Sequence, residues 1–243
     1  MGTLYIVATP IGNLEDITLR ALRILKEVDG ILCEDTRVTK ILLERHHIQN
    51  SLLSYHQHSD LHRIKEIVAL LREGKNLALV SDAGTPGISD PGNKLIEEVS
   101  KELPEVKIIP IPGPSALTAI ASVAGFSMDA FLFLGFPPTK KGRKTFFEKV
   151  AVSEYPVVFY ESPYRIIKSL EELNGILRNS AAAENHSIVV GRELTKKFET
   201  IYRGTAAEVA RQLKCETPKG EFVIVVGKGK GLSRVQSRVD TLP

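Results

Sequence analysis

The sequence is short of the features that mark secreted, disulfide-bonded and membrane-spanning proteins. Its 243 residues contain no tryptophan and two cysteines, Cys33 and Cys215, which lie far apart and indicate neither a disulfide framework nor a zinc knuckle. No apolar run approaches the ~20 residues that span a bilayer. The N-terminus enters the apolar run of residues 4–8 without a basic region before it. We therefore expect no signal peptide, no membrane partner and a cytoplasmic location.

Two common nucleotide-binding motifs are also missing. No G-x-x-x-x-G-K-[ST] sequence occurs, which excludes a P-loop for phosphates. No G-x-G-x-x-G sequence follows a predicted strand, which excludes the ordinary dinucleotide-binding turn. Residues 227–231 are rich in glycine and lysine, but no helix pattern comes after them, so a flexible segment is the better interpretation.

The overall charge is close to even. The net charge of +3 is too small to indicate nucleic-acid binding by itself. Four cations nevertheless fall close together, and we predict them as contacts to RNA phosphates: Lys140, Lys141, Arg143 and Lys144. The alternative is a solvated stretch that serves only solubility. The neighbouring Phe146 and Phe147 begin a helical pattern, so we expect their rings to pack in the core.

Short β-branched runs alternate with helical patterns through the first half of the chain. The predicted strands there cover residues 4–8, 30–33, 77–80 and 106–111. This alternation predicts a parallel sheet with helices on its faces. Two helix starts carry recognisable caps: Asp90 before Pro91, and Thr205 with Glu208 in capping-box spacing.

The pattern changes after Gly125. Successive predicted strands within residues 187–204 have no helix between them, which predicts antiparallel pairing. We therefore predict an α/β fold of two domains. An N-terminal α/β domain covers residues 1–116, a mixed α/β domain covers residues 117–230, and a flexible basic tail covers residues 231–243.

Loops rich in glycine, proline and small polar residues follow three of the predicted strands, at residues 9–13, 81–92 and 112–116. Ligands of open α/β sheets bind at the carboxyl ends of the strands, which is where these loops lie. Glycine lets a ligand approach the backbone closely, and proline stiffens the loop. Together the loops predict a small-ligand pocket, whereas each one alone is compatible with an ordinary turn and helix cap.

Five motifs occur in a characteristic order: TPIGNL at 9–14, CEDTR at 33–37, SDAGTPGISDPG at 81–92, PGPSA at 112–116 and YESPYR at 160–165. In these motifs the chain resembles the bacterial ribosomal RNA small subunit methyltransferase I family, of the tetrapyrrole methylase superfamily. The resemblance implies a two-domain enzyme, usually a homodimer, with S-adenosylmethionine in the cleft between the domains and no metal ion. Family members methylate the ribose 2′-hydroxyl of a cytidine in the decoding region of 16S rRNA, so the implied partner is that RNA within the small ribosomal subunit.

The resemblance also implies which residues bind the cofactor. They are Pro10, Asp82, Ala83, Gly84, Gly87, Ser115 and Ala116 in the first domain, with Glu161 and Leu194 in the second. Most would act through backbone groups, while the Asp82 carboxylate would favour the sulfonium or amino group. Longer family members continue into a small C-terminal segment, whereas this chain ends at Pro243. We therefore expect its RNA affinity to depend on the core, a dimer or the assembled subunit.

Asp35 and Arg37 follow the second predicted strand, at the same sheet edge as the loops. A ribose hydroxyl is a poor nucleophile that needs a base or a polarising cation. We predict these two residues as catalytic candidates for proton acceptance or substrate positioning. The alternative is a local ion pair between them, or Asp35 as the cap of the helix that begins near Thr36.

A histidine-rich segment offers a competing hypothesis. His56, His58 and His62 lie within seven residues, as in some metal hydrolases, but their spacing matches no zinc pattern. A polar loop facing RNA is the preferred interpretation. The loops would also suit a tetrapyrrole methylase of the same fold or a non-catalytic module that binds cofactor or RNA, although their presence in both domains favours an enzyme.

Overall fold

A computed structural model describes residues 1–56, 61–90, 92–179, 186–216 and 218–228 of the chain. By its internal contacts the chain divides into two compact units. The first contains Met1–Ala119 and Leu194–Lys197, and the second contains Ile120–Glu193 and Phe198–Pro243. The predicted division after residue 116 lies close to this one, and independent folding of the two parts stays a prediction.

The first unit contains a five-stranded parallel sheet of order β3-β2-β4-β1-β5. Its strands are β1 (Thr3–Val7), β2 (Gly30–Cys33), β3 (Leu52–Ser54), β4 (Leu77–Val80) and β5 (Lys107–Ile111). Every residue of β2 and β4 is buried, because hydrophobic cores cover both faces of the sheet. The parallel sheet predicted from strand–helix alternation is therefore confirmed. The short β3 carries no comparable apolar run, and its sequence does not predict it.

Among the described residues, four helices connect these strands: α1 (Leu19–Glu27), preceded by a 3-10 turn at Leu14–Asp16, α2 (Thr36–Arg45), α3 (Leu61–Arg72) and α4 (Asn93–Glu102). A fifth helix, α5 (Ala116–Ser122), follows β5 and contains the boundary between the two units. The predicted cap of α4 is wrong. Its N-cap is Gly92, which makes no side-chain cap, so Asp90 lies outside the helix, and Pro91 is not among the described residues.

The second unit contains a mixed sheet of order β6-β7-β10-β8-β9. Its strands are β6 (Leu132–Phe133), β7 (Val157–Glu161), β8 (Ile188–Arg192), β9 (Thr200–Gly204) and β10 (Phe222–Val226), and its helices are α6 (Arg143–Ala151), α7 (Ile166–Asn179) and α8 (Ala206–Lys214). β8 and β9 pair antiparallel, as predicted. The capping box of Thr205 and Glu208 at α8 is also confirmed.

The predicted tail and the membrane-spanning potential of the helices are the remaining points of the fold. The tail predicted over residues 231–243 lies outside the described residues. Within the described part of the chain, no helix combines the length and the apolar character that crossing a membrane requires.

Candidate functional site

Hydrogen bonds join three loops at the carboxyl ends of β4, β1 and β5. The backbones of Thr9 and Gly84 form a two-bond bridge, with N···O distances of 2.9 and 3.0 Å. The Thr9 hydroxyl donates to the Ser81 carbonyl at 2.9 Å, and the Thr85 hydroxyl donates to the Pro114 carbonyl at 3.3 Å. The loops that the sequence singles out therefore form one connected structure.

Glycine permits the close approach of these loops. Gly84 has φ = +89°, and a Cβ placed on it would lie 3.3 Å from Ile11 Cγ2 and 3.7 Å from the Pro114 carbonyl oxygen. A Cβ on Gly113 would lie 3.0 Å from Ala8 Cβ. Glycine at these positions therefore lets the loops pack closely against one another with no side chain between them.

Seven residues predicted to bind the cofactor lie in or beside these connected loops of the first unit. Ala83 is exposed and Pro10 and Gly84 are buried, whereas the others are half-buried: Asp82, Gly87, Ser115 and Ala116. Asp82 also holds two loops together, because its Oδ1 accepts a hydrogen bond from the Asp35 backbone N–H at 3.1 Å. Contact of these residues with a cofactor stays a prediction.

Leu194 belongs to the first unit by its contacts, although its sequence position predicts the second domain. A Cβ on Gly12 would lie 3.1 Å from the Leu194 carbonyl oxygen, so glycine is required where this short segment packs against the first loop. The Leu194 side chain is buried. Eight of the nine predicted cofactor residues therefore lie in one unit.

Asp35 forms both of the local contacts that the sequence left as alternatives to catalysis. One carboxylate oxygen accepts a hydrogen bond from the Arg37 N–H at 2.8 Å and thereby caps α2. The other pairs with the Arg37 guanidinium at 2.7 Å. Hydrogen bonds from the Arg37 side chain and then its backbone lower the pKa of Asp35 to about 2. Asp35 is therefore a weak proton acceptor, while the Arg37 side chain is 88% exposed.

Glu34 is a residue of this edge that the sequence did not single out. It is exposed directly after β2, at the same sheet edge as Asp35 and Asp82. Desolvation raises the pKa of its carboxyl, the charges of Asp82 and Asp35 raise it further, and His56 opposes them. Glu34 is thus a better proton acceptor than Asp35. Its position between a buried strand and the Asp35 cap is the signal that would have identified it.

Glu161 lies at the carboxyl end of β7 in the second unit, with its side chain fully buried. Arg165 pairs with one carboxylate oxygen at 2.9 Å, and Arg143 lies 3.7 Å from the other. The Ser169 hydroxyl and the Ser162 N–H donate to it at 2.5 and 2.8 Å. The Glu161 carboxylate is therefore saturated by its own unit, and its predicted cofactor contact stays a prediction.

Arg143 is not the exposed phosphate ligand that its lysine neighbours suggested, and this prediction is corrected. Its side chain is 8% exposed and pairs with Glu172 at 2.7 Å. It also donates to the Ser169 hydroxyl at 2.8 Å and lies over the Phe147 ring, 5.1 Å from the centroid. The guanidinium is buried because Glu161 and Glu172 compensate its charge.

The three lysines beside Arg143 have the opposite environment. Lys140, Lys141 and Lys144 are exposed, and two of them line a cavity of about 650 Å³ beside α6 and α7. Phe147 is fully buried, as its helical pattern predicts. Of the four cations predicted to contact phosphate, only the three lysines are exposed to solvent, and their contact with RNA stays a prediction.

The histidine-rich segment shows no assembled metal site in the part of the chain that can be described. His58 lies outside the described residues. His62 instead pairs with Glu66 along α3, with an Nδ1···Oε1 distance of 3.1 Å. Among the described side chains, no three histidines, cysteines or carboxylates come together as a metal site would require.

Comparison with known proteins gives consistent results. The family model of Tetrapyrrole (Corrin/Porphyrin) Methylases matches residues 3–210. A Thermotoga maritima protein named ribosomal RNA small subunit methyltransferase I is 44% identical over 226 residues, which cover 93% of this chain and 98% of the relative. An Escherichia coli O157:H7 protein of the same name is 41% identical over 228 residues, which cover 93% and 77%.

Solved structures of low sequence identity share the fold. A cobalt precorrin-4 methyltransferase superposes with a TM-score of 0.66 at 20% identity, covering 93% of this chain and 94% of its own. A uroporphyrin-III-C-methyltransferase from Thermus thermophilus gives 0.63 at 18% identity, covering 96% and 97%. The family match and the close relatives agree with the sequence motifs. The chain therefore belongs to the tetrapyrrole methylase family and, within it, to the ribosomal RNA small subunit methyltransferase I group.

Proposed function

We propose that this protein transfers a methyl group from S-adenosylmethionine to the ribose 2′-hydroxyl of a cytidine in the decoding region of 16S rRNA. The observation that carries the proposal is the connected backbone cradle at Thr9, Gly84 and Pro114, in a chain whose relatives are named rRNA methyltransferases. The coarser activity is that of an rRNA methyltransferase of the tetrapyrrole methylase family. The proposed setting is a cytoplasmic homodimer that acts on the small ribosomal subunit.

The cradle fits S-adenosylmethionine in its chemistry. The adenine and the amino acid end of that molecule need hydrogen bonds, which backbone N–H and C=O groups of the glycine-rich loops would supply, since glycine lets a ligand approach the backbone closely. Pro10, Ala83, Gly84, Gly87, Ser115, Ala116 and Leu194 would hold it, and Asp82 would face a positive group. When bound, the cofactor supplies an electrophilic methyl group on a sulfonium.

The two carboxylates at the edge of the first sheet, Glu34 and Asp35, have different proposed roles. Glu34, whose pKa is raised, would accept the proton of the ribose hydroxyl. Asp35 stays ionised and holds the start of α2 and the Arg37 side chain in place. The exposed Arg37 guanidinium would orient a phosphate or the ribose. Accurate positioning of the hydroxyl supplies a large part of the rate.

We expect Glu34→Gln to lower kcat by about 100-fold or more, with a smaller effect on KM, because the amide cannot accept a proton. A carboxylate base acts only when deprotonated, so the wild-type rate should rise with pH through the Glu34 pKa, which lies above the ordinary value. The variant should lose this acidic limb. The measurement is kcat and KM against pH with 16S rRNA or small subunits as substrate.

Asp35→Asn is the matched control for Glu34. It weakens the cap and the ion pair with Arg37, so it should lower stability yet retain the acidic limb of the pH profile. Wild-type kcat in Glu34→Gln would show that Glu34 is not the proton acceptor, whatever the fate of the methylation assignment.

The rRNA assignment is tested in a strain from which the gene is deleted. Nucleoside analysis of its 16S rRNA should show loss of one 2′-O-methylcytidine, and an unchanged level would overturn the proposed function. Calorimetry with S-adenosylmethionine tests the cofactor separately, because a purified chain that does not bind it is not a methylase of this kind. The same chain should leave tetrapyrroles unmethylated, which distinguishes it from enzymes that share only its fold.

A further inference from the structure

We propose that the second unit binds single-stranded RNA on a stacking surface, formed by the rings of Phe136 and Tyr164 and the ammonium groups of Lys140, Lys144 and Lys168. The inference rests on the proposed rRNA substrate. It adds the form of RNA that is engaged and the side chains that engage it.

Two aromatic rings of this unit are open to solvent, and each directly precedes a residue of one hydrogen-bonded pair, Pro137 and Arg165. Tyr164 is 95% exposed and Phe136 is 52% exposed. The Phe136 ring rests against Tyr160, with 5.4 Å between centroids, and Tyr160 in turn contacts Phe133 at 5.0 Å. Phe136 is thus held from one side by other rings and available from the other, as a stacking partner for a base must be.

The segments that carry these rings are joined through the buried carboxylate of Glu161 and two arginines. Arg165 and Arg143 both pair with it. Arg165 also donates a hydrogen bond to the Pro137 carbonyl at 3.2 Å, and Arg143 donates to the Pro138 carbonyl at 3.2 Å. Phe136 directly precedes Pro137, and Tyr164 directly precedes Arg165. The two rings are therefore carried by segments joined in one rigid network, which reduces the entropy lost on binding.

Cations follow both rings at short sequence distance, since Lys140 comes four residues after Phe136 and Lys168 four residues after Tyr164. Lys140, Lys144 and Lys168 line the cavity of about 650 Å³. Lys144 and Lys168 lie 3.7 and 3.8 Å from Glu148 and Glu172, and both lysine side chains are exposed, so these long ion pairs contribute little and leave the ammonium groups available.

The combination of aromatic rings and lysines favours one class of partner over the others. Stacking requires bases that are not already paired, so a single strand is preferred to a duplex. The lysines match the charge of a polyanion, whereas a second copy of the same surface would bring like charges together. We therefore assign the surface to single-stranded RNA.

The test uses the full chain and a labelled oligocytidylate of roughly ten nucleotides, with a duplex of equal length beside it. Anisotropy titrations should show that Tyr164→Ala weakens single-strand binding about tenfold, whereas Tyr164→Phe retains it. Removing a ring removes no phosphate contact, so the dependence of log affinity on log salt should stay unchanged. Lys140→Ala should instead lower that slope by about 0.7.

Tyr155→Ala is the matched control, because Tyr155 is 49% exposed in the same unit but precedes β7, whereas Tyr164 follows it. It should bind RNA as the wild type does. An equal loss in Tyr155→Ala, or no loss in Tyr164→Ala, overturns the inference and leaves the proposed function standing. A wild type that does not bind the single strand overturns the inference and also removes support for the RNA substrate. A change in oligomeric mass of Tyr164→Ala overturns it in favour of an interface between copies.

Discussion

Glu161→Ala is expected to lower the free energy of unfolding by about 3–5 kcal/mol, which is the cost of leaving buried charge without its partner. The side chain is fully buried, and the substitution removes the partner of Arg165 and one partner of Arg143. It also leaves the Ser169 hydroxyl without its acceptor in Glu161. Urea denaturation followed by circular dichroism measures the change.

Two further variants separate the effect of losing the Glu161 charge from the effect of its burial on the free energy of unfolding. Glu161→Gln keeps an oxygen for Ser169 but loses the charge, so its loss should be intermediate. Glu171→Ala removes an exposed partner of Lys214 in the same unit and should cost at most about 1 kcal/mol. If Glu161→Ala costs no more than Glu171→Ala, the buried cluster does not stabilise this unit.

Gly84→Ala is expected to weaken S-adenosylmethionine binding about tenfold or more, equivalent to about 1.4 kcal/mol. The methyl group would meet Ile11 Cγ2 at 3.3 Å, so the Ile11 side chain must shift by a few tenths of an ångström in a loop that is joined to this one at Thr9. A side chain at this positive φ also costs roughly 1–2 kcal/mol of backbone strain. Calorimetry with S-adenosylmethionine measures the affinity, and thermal unfolding measures the strain.

Gly74→Ala separates these two effects. Gly74 has φ = +91°, close to the +89° of Gly84, but a Cβ there meets no atom within 4 Å. Both variants should therefore lose the stability that a side chain at positive φ costs, and only Gly84→Ala should also displace Ile11 and lose affinity. Equal affinities in the two variants would mean that the connected loops do not bind the cofactor.

Much of the first unit could be predicted because its signals are local. The buried strands β2 and β4 are continuous apolar runs, and parallel order follows from the helices between them. In the second unit, the capping box of Thr205 and Glu208 spans three residues, so it too can be recognised from spacing alone. The cap predicted at Asp90 failed because the loop continues to Gly92, whose backbone has φ = +154°.

The loops of the candidate site could be predicted from the sequence, but the pKa values of its carboxyl groups could not. The glycine- and proline-rich composition of residues 81–92 indicates a ligand-binding loop, and its bonds to Thr9 and Pro114 agree with the predicted meeting of strand ends. Asp35 and Glu34 are neighbours in the sequence and look alike there. Only the structure gives them different pKa values, because Arg37 bonds to one and desolvation dominates the other.

The amino-acid sequence by itself determined the fold class, the family and the loops that line the proposed cofactor site, because strand runs, caps and motifs involve residues within a few positions of each other. The tertiary structure decided which charged side chains are exposed to solvent and which are buried in ion pairs. Arg143 and Lys144 are adjacent in the chain, yet one is buried and the other exposed. The difference depends on Glu161 and Glu172, which the sheet and helix packing bring to Arg143 from 18 and 29 positions away. Such pairings follow from strand order and helix docking, which leave no periodic trace in the sequence.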